Sequence, residues 1–178
     1  MAPTVELFHI PKFRSTRVLW LYYELEAIYR KSRSDFPQLK LHKLSPDTFR
    51  TEKPKELLAA NPNRKVPAFI DCDAALAMFE GCAILHYILD HYDFDGALGD
   101  KRDKAFSAEL YKLSFYTSGT LDNLFATSSP IQGGPIELEQ KMQLIPQISL
   151  ERSEKSVTLI LSVPFVRLGR LPNSKAGG

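Results

Sequence analysis

The sequence predicts an α/β unit, a βαβ half joined to a ββα half, followed by a partial all-α segment. Three observations carry this reading. Apolar residues switch repeatedly between the two-residue period of a strand and the 3.6-residue period of a helix. Prolines, glycines and Asn/Asp turns fall at the switches. The stretch Asn61-Pro62-Asn63-Arg64-Lys65-Val66-Pro67-Ala68-Phe69-Ile70-Asp71 brackets a turn with two prolines and runs the second into a short apolar run. A proline cannot donate to a ladder and sits at a strand's start or edge, so this stretch predicts a helix ending near Ala60 and a strand beginning at Val66. A cis Val66–Pro67 bond fits the bend, because X–Pro is the one linkage where cis is cheap. The bend leaves the Val66 N–H and C=O outside the sheet and open to an extended peptide ligand.

The elements follow in order. Val5, Leu7, Phe8 and Ile10 make a first strand, which Pro11 ends. A polar loop, Lys12 to Thr16, leads into a helix in which Val18, Leu21, Tyr22 and Leu25 share a face and Ser15 or Thr16 is placed to cap. Tyr29 to Gln38 reads as a loop, Leu39 to Leu44 as a second strand, Pro46 to Pro54 as irregular chain, and Lys55 to Ala60 as a short helix. After the strand at Val66–Ile70, Asp71-Cys72-Asp73 predicts a hairpin turn and Ala75–Phe79 the returning strand. Glu80-Gly81 opens a helix through Tyr92 that buries Ile84, Leu85, Ile88 and Leu89. This order is that of a thioredoxin-like unit over residues 1–93. Asp93 to Lys104 suits a linker, and Ala105 to about Thr127 returns to helical spacing, so residues 94–132 open a helical second domain. From residue 133 the pattern weakens into an atypical tail, and its end, Pro172 to Gly178, has a disordered composition.

Totals narrow the function. Of 178 residues, 44% are apolar and 25% charged, and the formal net charge is +2, which gives no argument for nucleic acid. The longest apolar stretch, Val157 to Val166, is too short to span a bilayer. Two cysteines, Cys72 and Cys82, make no disulfide framework and no metal-ligand pair, and a reducing, cytoplasmic location is expected. His9, His42, His86 and His91 have no ligand spacing with a third partner, so no metal is expected. There is no phosphate-cradling glycine loop.

Three segments carry a resemblance. They are Leu7-Phe8-His9 running into Arg14-Ser15-Thr16-Arg17-Val18-Leu19-Trp20, then Asn61 to Phe69 as quoted above, then Phe79-Glu80-Gly81-Cys82-Ala83-Ile84. In this order and spacing, residues 5 to about 130 resemble the cytosolic glutathione S-transferase family. The resemblance implies glutathione as co-substrate, a small electrophile as second substrate, a role in detoxification, and a possible homodimer. A thiol is activated by hydrogen-bond donors and a positive helix end near the sulfur, and the first loop offers both. The family's sulfur-touching residue lies in this loop. Phe13 occupies one candidate slot and has no proton to donate, which leaves Ser15 as the expected catalytic residue, with a plain helix cap as its other reading. The resemblance further implies that the Val66 backbone, across the bend at Pro67, pairs with the cysteinyl part of glutathione. Glu80 and Gly81 would hold the γ-glutamyl end, with helix N–H groups on its carboxylate. Lys53 and Lys65 lie where the family places groups for the glycyl carboxylate. The family usually has Ser where this chain has Gly81; one lost hydroxyl to a charged acceptor costs roughly 1.5–3 kcal/mol.

Two rivals stand beside the enzyme. Thiol–disulfide chemistry needs a thiol in the first loop, and Pro11 to Thr16 has none. Cys82 sits on the first turn of its helix, where its pKa would fall, although a small buried filler is the commoner fate of such a cysteine. A non-catalytic module of the same fold, binding glutathione or another protein, is favoured by Phe13, Gly81 and the foreign tail. Tyr111, Phe115 and Tyr116 would line the side of the helical segment facing the loop, where the family holds its electrophile, although core packing is the commoner reason for aromatics at this spacing. The family generally has a longer helical domain, and the expectation from residues 133–178 is a truncated or aberrant end that leaves the Phe106–Leu124 helix partly uncovered.

Overall fold

The computed structural model describes residues 3–99 and 103–122. In chain order the elements are β1 (Thr4–His9), α1 (Ser15–Tyr29), β2 (Gln38–Lys43), α2 (Pro46–Thr51), α3 (Lys55–Ala60), β3 (Ala68–Asp71), β4 (Leu76–Phe79), α4 (Gly81–Tyr92) and α5 (Lys104–Tyr116), with a π-helical turn at Thr117–Leu121. The four strands form one sheet in the order β2-β1-β3-β4. β1 runs parallel to β2 and antiparallel to β3, and β3 is antiparallel to β4. This is the mixed sheet that a βαβ half joined to a ββα half produces.

Strand alternation divides the core between the two faces of the sheet. Val5 and Leu7 pack with Val18, Leu21 and Leu25 of α1 and with Ile84, Leu85 and Ile88 of α4. Phe8 points to the other face and packs with Leu57 and Ala60 of α3 and with Ala68. Every residue expected on the inner face of α4 is buried. Full burial of side chains of this size stabilises by about 1.5–3 kcal/mol each, so the two faces together give the unit a core of its own.

Three local expectations need correction, and a further segment, the linker expected after α4, is held by specific hydrogen bonds. Pro46 to Pro54 is not irregular: the Ser45 hydroxyl accepts from the Thr48 N–H at 3.0 Å and Pro46 supplies a preset φ, so α2 forms. The third strand starts at Ala68 and not at Val66, because the ladder begins after Pro67. No side chain caps α1. Arg14 is its cap residue, and Ser15, already helical, turns its hydroxyl back towards the first strand. The linker after α4 is tied down by Asp93, which is buried. One carboxylate oxygen accepts from the Tyr29 hydroxyl and the Ala97 N–H at 2.8 Å each, the other from the N–H groups of Leu98 and Gly99 at 2.9 and 2.7 Å. The tail expectations, including those from residue 133 onward, lie outside the described residues.

α5 packs back on α4. The Cys82 thiol donates to the Ser114 carbonyl at 3.2 Å, His86 Nε2 is 2.9 Å from the Ser114 hydroxyl, and the His86 ring lies on Tyr111. The π-helical turn then brings Asp122 to the start of α1. There Arg17 grips it with two hydrogen bonds of 3.0 and 2.7 Å, while Arg14 reaches it at 3.3 Å from a more exposed position. Arg17 and Asp122 are each about 5% exposed, so this is a buried ion pair between α1 and the second segment.

Candidate functional site

The register of the sheet decides what meets at its end. Phe8 pairs with Ala68, and Ala68 pairs with Phe79. One residue beyond this row, β1 enters the first loop at His9 and Ile10, β3 is preceded by Pro67 and Val66, and β4 runs into Glu80 and α4. Three segments far apart in sequence are thereby delivered to one edge of the unit. The distance expected for a Cβ at Gly81 to Pro67 Cγ is 3.6 Å, ordinary contact, which joins the second segment to the third.

Backbone conformation sets this edge apart. Among the described residues, four non-glycine residues have left-handed φ, and three of them lie here: Lys12 at 69°, Arg64 at 57° and Glu80 at 73°. Such conformations cost about 1–3 kcal/mol each and persist where the surroundings impose them, often at ligand sites. Lys12 follows Pro11 at the second central position of a tight turn closed by the Phe13 N–H on the Ile10 carbonyl at 3.2 Å. That position demands φ above zero and favours glycine.

The Val66–Pro67 bond is cis. Val66 is half-buried, and its N–H and C=O lie outside the ladder, with no backbone hydrogen bond to them among the described residues. The loop before it is built on Asn61, which is 2% exposed. Asn61 Oδ1 accepts from the Asn63 N–H at 3.0 Å, and its Nδ2 donates to the Lys65 carbonyl at 2.9 Å.

Glu80 is the residue before α4 and its side chain does not cap the helix. The first backbone donor of α4 to be used internally is the Ile84 N–H, on the Glu80 carbonyl at 3.0 Å. The N–H groups of Gly81, Cys82 and Ala83 precede it. They give the helix start donors and the positive end of its dipole, with an exposed carboxylate beside them.

The remaining expected residues divide. Lys53 is half-buried with its ammonium 4.7 Å from the centre of the Phe49 ring. Phe49 and Val66 pack against the same apolar cluster under Phe8, so Lys53 is tied to this edge. Lys65 is exposed, and only its carbonyl is held, by Asn61. Ser15 is wholly buried. Its Oγ lies 3.0 Å from His9 Nδ1, accepts from the Ile10 N–H at 3.2 Å and donates to the Ile10 carbonyl at 3.3 Å. A hydroxyl so committed braces the turn from inside. Burial, reinforced by Lys43, lowers the His9 pKa, so the imidazole that faces Ser15 is neutral near pH 7. Phe13 is the first-loop residue with a large exposed apolar side chain, 43% accessible.

Cys82 does not become acidic. Burial raises its pKa, and Ser118 and Arg17 only partly oppose this. Cys72 is exposed on the hairpin, and burial together with Glu6 raises its pKa as well. Among the described residues no group of three or more His, Cys, Asp or Glu is arranged to hold a metal ion, and no helix is long and apolar enough to cross a membrane. An open groove of about 530 Å³ between α1 and β2 contains none of the expected site residues. Its arginines are already engaged, Arg30 with Glu26 and Arg33 with Asp35.

The sequence reading missed Asn61 as the organiser of the Val66 loop and Asp122 as the partner of Arg17. Asn61 carried a local signal, since an Asn opening a turn can accept from the backbone N–H two residues on. The Arg17–Asp122 pair spans 105 positions and had none.

Comparison with known proteins gives a consistent result. Residues 3–90 match the model of the glutathione S-transferase N-terminal domain. A glutathione S-transferase-like protein of Beauveria bassiana is 34% identical over 82 residues, which is 46% of this chain and 32% of that protein. Among solved structures, a glutathione S-transferase-like protein from Lodderomyces elongisporus aligns with a TM-score of 0.59 at 24% identity, over 79% of this chain and 59% of that one. A glutathione transferase from Phanerochaete chrysosporium, solved with oxidized glutathione, aligns at 0.56 and 16% identity, over 71% of this chain and 53% of that one. At these identities the structures share the fold. The chain spans about a third of the curated relative and under two thirds of these solved ones.

Proposed function

This chain belongs to the glutathione S-transferase family through its domain at residues 3–90, and from that premise we propose that the edge formed by the first loop, Val66 and the start of α4 binds glutathione and activates its thiol for attack on a small electrophile. The observation that carries the proposal is the row Phe8–Ala68–Phe79, which sets an unpaired backbone segment beside an uncapped helix start. Glutathione needs both. It is an extended peptide, which an open backbone N–H and C=O can pair, and it ends in a carboxylate and an ammonium.

In this reading Val66 pairs with the cysteinyl residue. The N–H groups at Gly81 and Cys82 take the γ-glutamyl carboxylate, and the Glu80 carboxylate takes its ammonium. Lys53 and Lys65 serve the glycyl carboxylate, Lys53 with the better placement because its ammonium lies over Phe49 at this edge. The thiol then lies towards the first loop and the start of α1. The N-terminal dipole of α1 favours the thiolate there, and the thiol proton leaves to solvent. In the transfer step a sulfur–carbon bond forms as the electrophile's leaving group departs or its double bond accepts the electron pair. Ser15 contributes by holding the loop, through Ile10 and His9. Cytoplasmic location, detoxification and a homodimeric state follow the family and belong to the same proposal.

A second reading has its own observation. Among residues 11–16 no side-chain hydroxyl is open to a ligand: Ser15 is bound internally, and Thr16 Oγ1 is buried without a partner. That favours a member of the fold that binds glutathione without efficient transfer. Calorimetric titration with glutathione, followed by initial rates with an activated aryl halide, separates the readings. Binding with turnover above the uncatalysed rate supports the enzyme, and binding without it supports the second reading. A folded protein that takes up no glutathione refutes both.

A further inference from the structure

We infer that Asn61 is a positioning residue that aims the Val66 N–H at the ligand. The inference rests on the glutathione reading for the identity of that ligand, but its geometry stands without it. The Lys65 carbonyl and the Val66 N–H belong to one peptide group. In a planar trans peptide the two point in opposite directions, so whatever fixes the carbonyl fixes the N–H. Asn61 fixes it: its Nδ2 donates to the Lys65 carbonyl at 2.9 Å from a side chain buried within the loop.

The grip is rigid because every polar group of Asn61 is occupied within the same segment. Its N–H closes α3 on the Leu57 carbonyl at 2.8 Å, and its C=O accepts from the Arg64 N–H at 2.9 Å. Its Oδ1 accepts from the Asn63 N–H at 3.0 Å. One residue thus ends a helix, shapes the turn that places Arg64 in a left-handed conformation, and orients the next peptide plane. A donor on the carbonyl also polarises the peptide and strengthens its N–H as a donor on the other side. The arrangement commits the Lys65–Val66 peptide before any ligand arrives, which lowers the ordering cost of binding.

Replacing Asn61 by Asp tests this with little change in volume. The variant Asn61→Asp keeps the acceptor for the Asn63 N–H and turns the donor to Lys65 into a carboxylate oxygen facing a carbonyl. At pH 7.5 the expected result is a Kd for glutathione about tenfold weaker than wild type, in keeping with one lost hydrogen bond in a buried site. S-methylglutathione is expected to lose the same factor, because the defect lies in the backbone contact and not at sulfur. At pH 5.0 the variant-to-wild-type ratio is expected to narrow. Burial favours the protonated carboxyl, which regains a donor for the Lys65 carbonyl; a general loss of folding gives no such rescue. If Asn61→Asp does not fold, Asn61→Ser retains a hydroxyl for the Asn63 N–H without the reach to Lys65, and the same tenfold loss is expected.

Amide NMR separates this inference from the glutathione reading. The Val66 N–H resonance and its hydrogen exchange are expected to change in the variant with no ligand present. An unchanged Val66 amide in a folded variant overturns the inference whatever the protein binds. Equal glutathione affinity of variant and wild type overturns it as well. If wild type takes up no glutathione while the Val66 amide responds to the substitution, the ligand reading fails and the positioning role stands.

Discussion

The sharpest test of the proposed site adds a group where the chain has none. Gly81 opens α4, and a Cβ placed there meets Pro67 Cγ at 3.6 Å, an ordinary contact, so serine fits without moving the backbone. Its hydroxyl joins the N–H groups of the helix start, where the γ-glutamyl carboxylate is proposed to lie. A hydrogen bond to a charged acceptor contributes about 1.5–3 kcal/mol. Ordering the new side chain subtracts part of that, leaving about 1–2 kcal/mol, roughly a 5- to 30-fold lower Kd. Gly81→Ser is therefore expected to tighten glutathione binding by about tenfold in calorimetric titration. It is also expected to raise the unfolding midpoint slightly, because glycine is a poor helix residue. Two readouts guard against confusion. If stability rises while Kd stays the same or weakens, the carboxylate does not sit at the start of α4 and the proposed orientation of the tripeptide is refuted. Tightening that disappears with a ligand lacking the γ-glutamyl carboxylate ties the gain to that group.

The remaining expectations concern what holds the site. Asp122→Ala leaves the Arg17 guanidinium buried without its bidentate partner, and the expected loss in urea unfolding is about 3–5 kcal/mol; a loss under 1 kcal/mol would mean the pair does not join the second segment to α1. Asp71 contributes to the acid limb of stability. Its burial raises the carboxyl pKa, but hydrogen bonds from Tyr92, from the Ala74 N–H, from Tyr87 and from the Asp73 N–H outweigh that and leave it below the ordinary aspartate value. The folded pKa is lower than the unfolded one, so the contribution is complete above about pH 4 and lost as pH falls through the folded value. Asp71→Asn is expected to flatten that limb of a pH series of unfolding midpoints, and an unchanged limb would refute the assignment. Ser15→Ala strips the buried Ile10 N–H of its partner and is expected to destabilise by about 1–3 kcal/mol. Its effect on glutathione Kd is expected to be small beside that of Gly81→Ser, whereas a large loss of turnover in a protein of wild-type stability would return the hydroxyl to the sulfur.

What the sequence made legible was what local spacing determines. The 3.6-residue pattern of Ile84, Leu85, Ile88 and Leu89 names the inner face of α4 with no knowledge of its neighbours, and those four residues are buried. The alternation in β1 likewise sends Leu7 and Phe8 to opposite faces, and the structure finds them in different clusters. Boundaries were read less well where one side-chain hydrogen bond outweighs propensity. Ser45 starts a helix in a stretch bracketed by Pro46 and Pro54. Prolines misled in a specific way: Pro67 marks the strand's entrance correctly, yet the ladder begins only after it, at Ala68, and leaves Val66 outside.

The site was legible as a set of positions and not as a set of roles, and Ser15 shows why. A serine just ahead of a helix reads equally as a cap, a sulfur ligand or a brace, because its type and place are the same in all three. The choice depends on χ1 and on what stands within 3.3 Å, here Ile10 and His9, which the strand before the loop supplies. Asn61 makes the same point in reverse. It was read as turn chemistry, which it is, but the peptide it holds, Lys65–Val66, is the one whose other end faces the proposed ligand. Val66, Glu80 and Gly81 look functional in the sequence and are the residues proposed to touch glutathione. Those the structure adds lie one hydrogen bond behind them, where burial leaves a side chain a single set of partners.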